Sequence, residues 1–99
     1  MKVQFSTLFY RLYKKTNVRI KKEVDRKIKI FRQDPLHPSL HNHELRDEYQ
    51  GLRSIDVTTD YRAIYEEIKV DDETIAYFSL LGTHKQLYEM KIFTIELKN

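Results

Sequence analysis

The chain has 99 residues, 40% of them hydrophobic and 12% aromatic, with no cysteine, no tryptophan and only two glycines and two prolines. That length bounds it to one small domain over residues 1–99, and the composition excludes disulfide scaffolds, zinc ribbons, collagen-like repeats and glycine-rich nucleotide loops. The net charge of +3 conceals an asymmetry: residues 1–33 hold eleven Lys/Arg against two acids, or +9, and residues 34–99 hold seven against thirteen, or −6.

No apolar run approaches the roughly 20 residues a membrane span requires, and no apolar stretch follows the basic N-terminus as in a signal peptide. The expected setting is therefore the cytoplasm. A concentrated basic half suits a phosphate-rich polymer, because binding one releases its counterions. A lysine-rich helix face kept soluble by its charge has the same composition, and charge alone does not separate the two.

In chain order, Val3 and Phe5 alternate over Lys2 to Ser6 as a short strand does, and Ser6 or Thr7 can cap a following helix with Leu8, Phe9, Leu12 and Tyr13 at helical spacing. Thr16 or Asn17 can cap a second helix running to about Gln33, where Ile20, Val24, Ile28 and Phe31 form one apolar stripe with the bases on the other faces. Asp34-Pro35 ends it, since a residue before proline is pushed out of helical geometry. Residues 34–51 follow neither periodicity and contain both prolines, so a loop with at most one helical turn is expected. Loops this long in small domains are usually functional.

The pattern then changes to strands. Leu52 to Val57, a turn at Thr58-Thr59, Tyr61 to Lys69, a turn at Asp71-Asp72 and the apolar Ile75 to Leu81 read as an antiparallel meander ending in a central strand. Thr83 to Met90 suits a short helical segment. Lys91 to Leu97 reads as another strand, with a short helix as the other possibility. The expected architecture is α+β: an N-terminal strand and two helices packed on one face of a small, mainly antiparallel sheet.

Three histidines, His37, His41 and His43, sit in the long loop. This string has no helical frame to gather it and no cysteine to complete a tetrahedral site, so exposed loop histidines are favoured over a metal centre. No cofactor is expected. His84 follows Gly82-Thr83 at the end of the central strand and shares a helical face with Tyr88 if residues 83–90 are helical. An imidazole beside a phenol suits nucleic-acid cleavage, and a structural histidine packed on a core tyrosine would look the same. Asp60 and Arg62 point to one side of a strand, with Arg53 near them if the Thr58-Thr59 turn pairs the two strands. Such arginines can bind phosphate, but an ordinary surface ion pair is the simpler reading.

Four stretches change that weighting: Asn42-His43-Glu44-Leu45, Tyr49-Gln50-Gly51-Leu52-Arg53, Asp60-Tyr61-Arg62-Ala63-Ile64-Tyr65-Glu66 and Leu81-Gly82-Thr83-His84-Lys85-Gln86-Leu87-Tyr88. At this spacing the chain resembles the RelE/ParE toxin superfamily, and within it the YafQ-like mRNA interferases of type II toxin-antitoxin systems. The Gly-Thr-His-x-x-Leu-Tyr ending is the most specific element.

The resemblance implies a toxin that inhibits translation as a metal-independent endoribonuclease, cutting mRNA in the ribosomal A site until a cognate antitoxin silences it. Its implied partners are that antitoxin, the ribosome and mRNA. Carried over by position, the implied catalytic set is His43, Asp60, His84 and Tyr88, with Arg53 and Arg62 on phosphate-lining positions. Metal-free cleavage uses the RNA 2′-hydroxyl as nucleophile and needs a base, an acid and cations. Asp60 or His43 would be the base, His84 the acid, and Arg53 and Arg62 the charge stabilisers. Lys21, Lys22, Lys29 and Lys85 would contact RNA.

The chain also departs from the family pattern. Asp56 stands where a second histidine is common, Leu80 where an arginine is common, and Tyr61 replaces a tryptophan. Those losses imply weakened activity, a repositioned site using Asp56, or a member that keeps the fold without the nuclease and only binds its antitoxin; the remaining alternative is a ParE-like gyrase inhibitor, against which the retained His43, Asp60 and His84 argue.

Overall fold

A computed structural model describes residues 1–46 and 49–89. The elements run β1 (Lys2–Phe5), α1 (Thr7–Lys15), α2 (Val18–Gln33), a 3-10 turn (Pro38–Leu40), β2 (His43–Glu44), β3 (Arg53–Asp56), β4 (Tyr61–Val70) and β5 (Glu73–Thr83). Residues 84–89 form a terminal helical segment, α3. Among the described residues five strands make one sheet in the order β1-β5-β4-β3-β2. β1 lies parallel to β5, and every other pairing is antiparallel.

Capping decides where the helices begin. The Ser6 hydroxyl accepts from Phe9 N at 2.9 Å and donates to the Ser79 carbonyl at 3.1 Å, fixing the start of α1 to β5. That carbonyl is accessible because the β4–β5 register jumps from Ile64↔Leu80 to Tyr65↔Phe78, leaving Ser79 as a bulge. Thr16 caps the end of α1, and Asn17 Oδ1 accepts from Ile20 N at 2.9 Å to start α2. Asp34, extended before Pro35, ends α2 where expected. β4 and β5 join through Asp71 and Asp72, both in the left-handed region (φ 50° and 67°), which matches the twist of a tight hairpin.

Both helices lie on one face of the sheet. Phe9, Ile20, Val24, Ile28 and Phe31 pack against Ile55, Val57, Ala63, Tyr65, Ala76, Phe78 and Leu81. The centre is aromatic: Phe31 meets Tyr65 and Phe78 edge-on, with ring centroids 4.9 and 5.2 Å apart. The other face carries a smaller cluster, Ile64, Leu80 and Leu87, flanked by Leu12, Leu45, Tyr49 and Leu52.

The expected α+β architecture is the one observed, with three differences of detail. The long loop contains β2, whose two residues are too few to display alternation. β3 is shorter than the expected 52–57, because the chain turns at Val57, whose N–H bonds to the Tyr61 carbonyl at 2.9 Å. β5 is longer at both ends, extended by pairing through Thr74, Glu73 and Thr83 rather than by apolar residues. The expected strand at Lys91 to Leu97 lies outside the described residues.

Candidate active site

Strand alternation sorts the candidate residues between the two faces. Ile55 faces the helices, and Arg53, two residues earlier, shares its side; Ser54 and Asp56 face away. The register then carries two rows across the far face. One is His43, Ser54, Ile64 and Leu80; the neighbouring one is Asp56, Arg62 and Gly82.

This corrects the expected company of the arginines. Arg62 Nε pairs with Asp56 Oδ1 at 3.0 Å, each side chain 25% exposed, rather than with Asp60. Asp60 lies in the turn before β4, so strand alternation does not govern it. Arg62 Nη1 donates to the carbonyls of Thr58, Thr59 and Tyr61 at 3.0–3.1 Å, fastening the guanidinium over that turn. Among the described residues Nη2 has no acceptor, which leaves it as the arm able to take an anion.

Arg53 is on the opposite face, paired in register with Tyr65 rather than grouped with Arg62. Its Nε donates to Asn42 Oδ1 at 2.9 Å, and one Nη lies 3.9 Å from Glu44. Asn42 Nδ2 in turn donates to the Pro35 carbonyl at 2.9 Å and to the Tyr65 hydroxyl at 2.8 Å. One asparagine thus ties the histidine loop to β3, to the core tyrosine and to the end of α2. Asn42 belongs to the Asn-His-Glu-Leu stretch, but nothing in its local pattern announces a side chain bonded in three directions.

On either side of this anchor stand the exposed His41 and His43, with ring centroids 5.8 Å apart. His43 Nδ1 is 2.9 Å from the His41 carbonyl. A carbonyl only accepts, so Nδ1 carries the proton and Nε2 presents a lone pair in the neutral ring. His41 Nδ1 lies 3.6 Å from Asp56 Oδ2, so Asp56 stands between His41 and Arg62. In the sequence His41 reads only as a loop histidine and Asp56 only as a departure onto which the site could be repositioned; their proximity depends on the turn at the loop and on strand register. Among the described residues no group of three or more His, Cys, Asp or Glu is arranged to hold a metal ion.

At the far end of the Asp56–Arg62–Gly82 row the chain enters α3. Thr83 Oγ1 accepts from Gln86 N at 3.1 Å while Gln86 Oε1 accepts from Thr83 N at 2.9 Å, a reciprocal capping box. The box places His84 in the first turn, with its N–H on the Asp60 carbonyl at 3.3 Å. His84 and Tyr88 share a helical face with ring centroids 5.5 Å apart. Leu87 is buried, and the Tyr49 hydroxyl donates to its carbonyl at 2.8 Å. The motif therefore has structural duties as well: Thr83 and Gln86 start the helix and Leu87 anchors it, leaving His84, Lys85 and Tyr88 exposed.

Asp60 is exposed and borders a cleft of about 340 Å³ with Arg19, Glu23 and Tyr61. Lys22 and Lys29 are exposed on α2 and Lys21 half-exposed, all in the helical layer rather than on the far face. Lys29 and Arg32 edge a different feature, an apolar groove of about 380 Å³ lined by Phe5, Phe9, Tyr10, Tyr13 and Ile28. Beside it the Tyr13 hydroxyl donates to Asp25 at 2.8 Å, and that bond to a carboxylate raises the Tyr13 pKa above its ordinary value. Lys27, buried on α2, donates to the Ser39 carbonyl at 3.2 Å and holds the 3-10 turn.

The strand order, helix placement and mixed sheet are similar to the fold of solved RelE/ParE-like toxins, YafQ among them. YafQ from E. coli strain BL21(DE3) superposes with a TM-score of 0.70 at 21% identity, covering 88% of this chain and 97% of that one. A YoeB/ParE toxin from Agrobacterium tumefaciens gives 0.68 at 17% identity, covering 85% and 99%. The toxin-antitoxin complex RelBE2 from Mycobacterium tuberculosis gives 0.65 at 24% identity, covering 84% and 96%. No family model matches the sequence, and no curated protein matches it at a significant level. Among the described residues no helix is long and apolar enough to cross a membrane.

Proposed function

We propose that the protein is the toxin of a type II toxin-antitoxin pair and cleaves mRNA in the ribosome without a metal ion. The observation that carries this reading is the far face itself: an imidazole with a free nitrogen, an anchored arginine with a free arm and a helix-borne His84 on a toxin fold. In the proposed reaction His43 Nε2 removes the proton of the RNA 2′-hydroxyl. The 2′-oxygen attacks phosphorus, and Arg62 Nη2 meets the charge that gathers on the phosphoryl oxygens. The bond to the 5′-oxygen breaks as His84 protonates that oxygen, giving a 2′,3′-cyclic phosphate and a 5′-hydroxyl.

Tyr88, exposed beside His84, is assigned to stack against a base, and Lys85 to hold the RNA backbone. Asp60 stays with the site as an exposed carboxylate at its border. Arg53 is assigned to holding Asn42, and through it the histidine loop. Lys21, Lys22 and Lys29 lie on another surface, suited to ribosomal RNA rather than to the reacting phosphate.

An antitoxin partner fits the groove between β1, α1 and α2. Phe5 and Tyr10 leave 40% and 56% of their surfaces exposed there, and the rim bases Lys29 and Arg32 favour an acidic segment with an apolar stripe. Two of the similar structures are toxin-antitoxin complexes, RelBE2 and DinJ-YafQ.

Induced expression tests the reading. The wild type should arrest growth, and His84→Ala should abolish arrest while thermal unfolding stays unchanged. Full toxicity in a folded His84→Ala variant would sink the assignment, and inhibition of gyrase supercoiling would favour the ParE-like alternative.

A further inference from the structure

We propose that His41 is a second phosphate-contacting imidazole of the far face and that Asp56 is its positioning residue. The assignment rests on the nuclease reading above. His41 adopts left-handed backbone geometry, φ 49° and ψ 46°, a region costly for most side chains though less so for histidine. The surroundings hold it there. Its N–H bonds to the Pro38 carbonyl at 3.2 Å, its carbonyl receives His43 Nδ1 at 2.9 Å, and the next residue is the anchored Asn42.

The ring is left exposed at the edge of β3, within reach of one carboxylate. Its side chain is 81% exposed, yet Nδ1 lies 3.6 Å from Asp56 Oδ2. That separation is longer than a hydrogen bond and short enough for ionic attraction. A carboxylate accepts only, so its approach favours the ring form with the proton on Nδ1, which leaves Nε2 for a ligand.

Asp56 therefore faces two groups with its two oxygens, the Arg62 guanidinium on Oδ1 and the His41 ring on Oδ2. The charge of Arg62 is balanced by Asp56, so the cluster gains net positive charge only when His41 is an imidazolium. Protonated, its Nε2–H and the unoccupied Nη2 of Arg62 are two donors organised by one carboxylate. The ligand chemistry this suits is a single phosphodiester with two non-bridging oxygens. His43, on the neighbouring row, remains the base, and His84 the acid.

Asparagine tolerates left-handed backbone, so His41→Asn removes the imidazole without straining the loop. Mapped cleavage of mRNA on translating ribosomes should be slowed in kcat by roughly 10²-fold, with KM little changed and the thermal unfolding curve intact. In the free protein, ¹⁵N spectra of the neutral His41 ring should report the proton on Nδ1. Asp56→Asn should weaken that preference and slow cleavage, and Asp56→Glu should restore part of both. Wild-type cleavage by His41→Asn alongside an inactive His84→Ala would overturn this assignment and leave the nuclease standing, as would a neutral His41 ring with a bare Nδ1. No cleavage by the wild type would overturn the nuclease reading and this assignment together.

Discussion

The two faces of the sheet use alternate residues of the same strands for opposite purposes. On the helix-covered face, Ile55, Ala63, Tyr65 and Phe78 meet an apolar stripe from α1 and α2. On the far face, Asp56 and Arg62 stand one pleat away as a half-buried ion pair beside two loop histidines. A side-chain period of two lets ten residues of β4 contribute to both without compromise. The larger core lies on one side and the candidate site on the other, so substitutions on the two faces should separate fold from the proposed function.

The largest expected effect is on the covered face. Phe31→Ala removes the ring that meets both Tyr65 and Phe78, and should cost about 3–5 kcal/mol in chemical denaturation. A loss below about 1 kcal/mol would mean the aromatic centre is not what fixes the helices to the sheet. Asn42→Ala is intermediate because Asn42 bridges the faces. It leaves Arg53 Nε and the Tyr65 hydroxyl without this partner, for about 1–3 kcal/mol of stability, and frees the loop carrying His41 and His43. Cleavage should fall by more than the lost stability explains; full activity in the folded fraction would show that the loop needs no anchor.

The smallest effect is at the groove on the helical layer. The Tyr13 pKa is raised by its hydrogen bond to Asp25, so the neutral phenol is favoured in the folded state. Its contribution is therefore present below the unfolded tyrosine pKa of about 10 and lost as pH rises through the folded value. Thermal unfolding of wild type should decline slightly more than that of Tyr13→Phe above about pH 10. Parallel curves would remove the Tyr13–Asp25 bond from the account.

The sequence made the covered face legible and left much of the far face hidden, for a physical reason. Ile20, Val24, Ile28 and Phe31 recur at helical spacing, and the Ser6 and Asn17 caps are local signals, so α1, α2 and their packing could be read directly. His84 and Tyr88 were legible for the same reason, being one helical turn apart. Asp56 beside Arg62 was not, because it depends on strand register, and Asp60 was the nearer acid in sequence. Pairing of the two strands across the Thr58-Thr59 turn suggests Arg53 beside Arg62, whereas strand parity puts it on the other side. His41 reaches Asp56 only through left-handed backbone at a loop residue, a feature that composition and periodicity do not encode.

In the proposed reaction the far face cuts RNA by attack of the RNA's own 2′-hydroxyl. The most direct measurement is the chemistry of the fragment ends made when the purified protein is added to a cell-free translation reaction. The proposed mechanism predicts mRNA cut on the ribosome, with 2′,3′-cyclic phosphate and 5′-hydroxyl termini. Intact mRNA, or cleavage that leaves 3′-hydroxyl and 5′-phosphate ends, would contradict it.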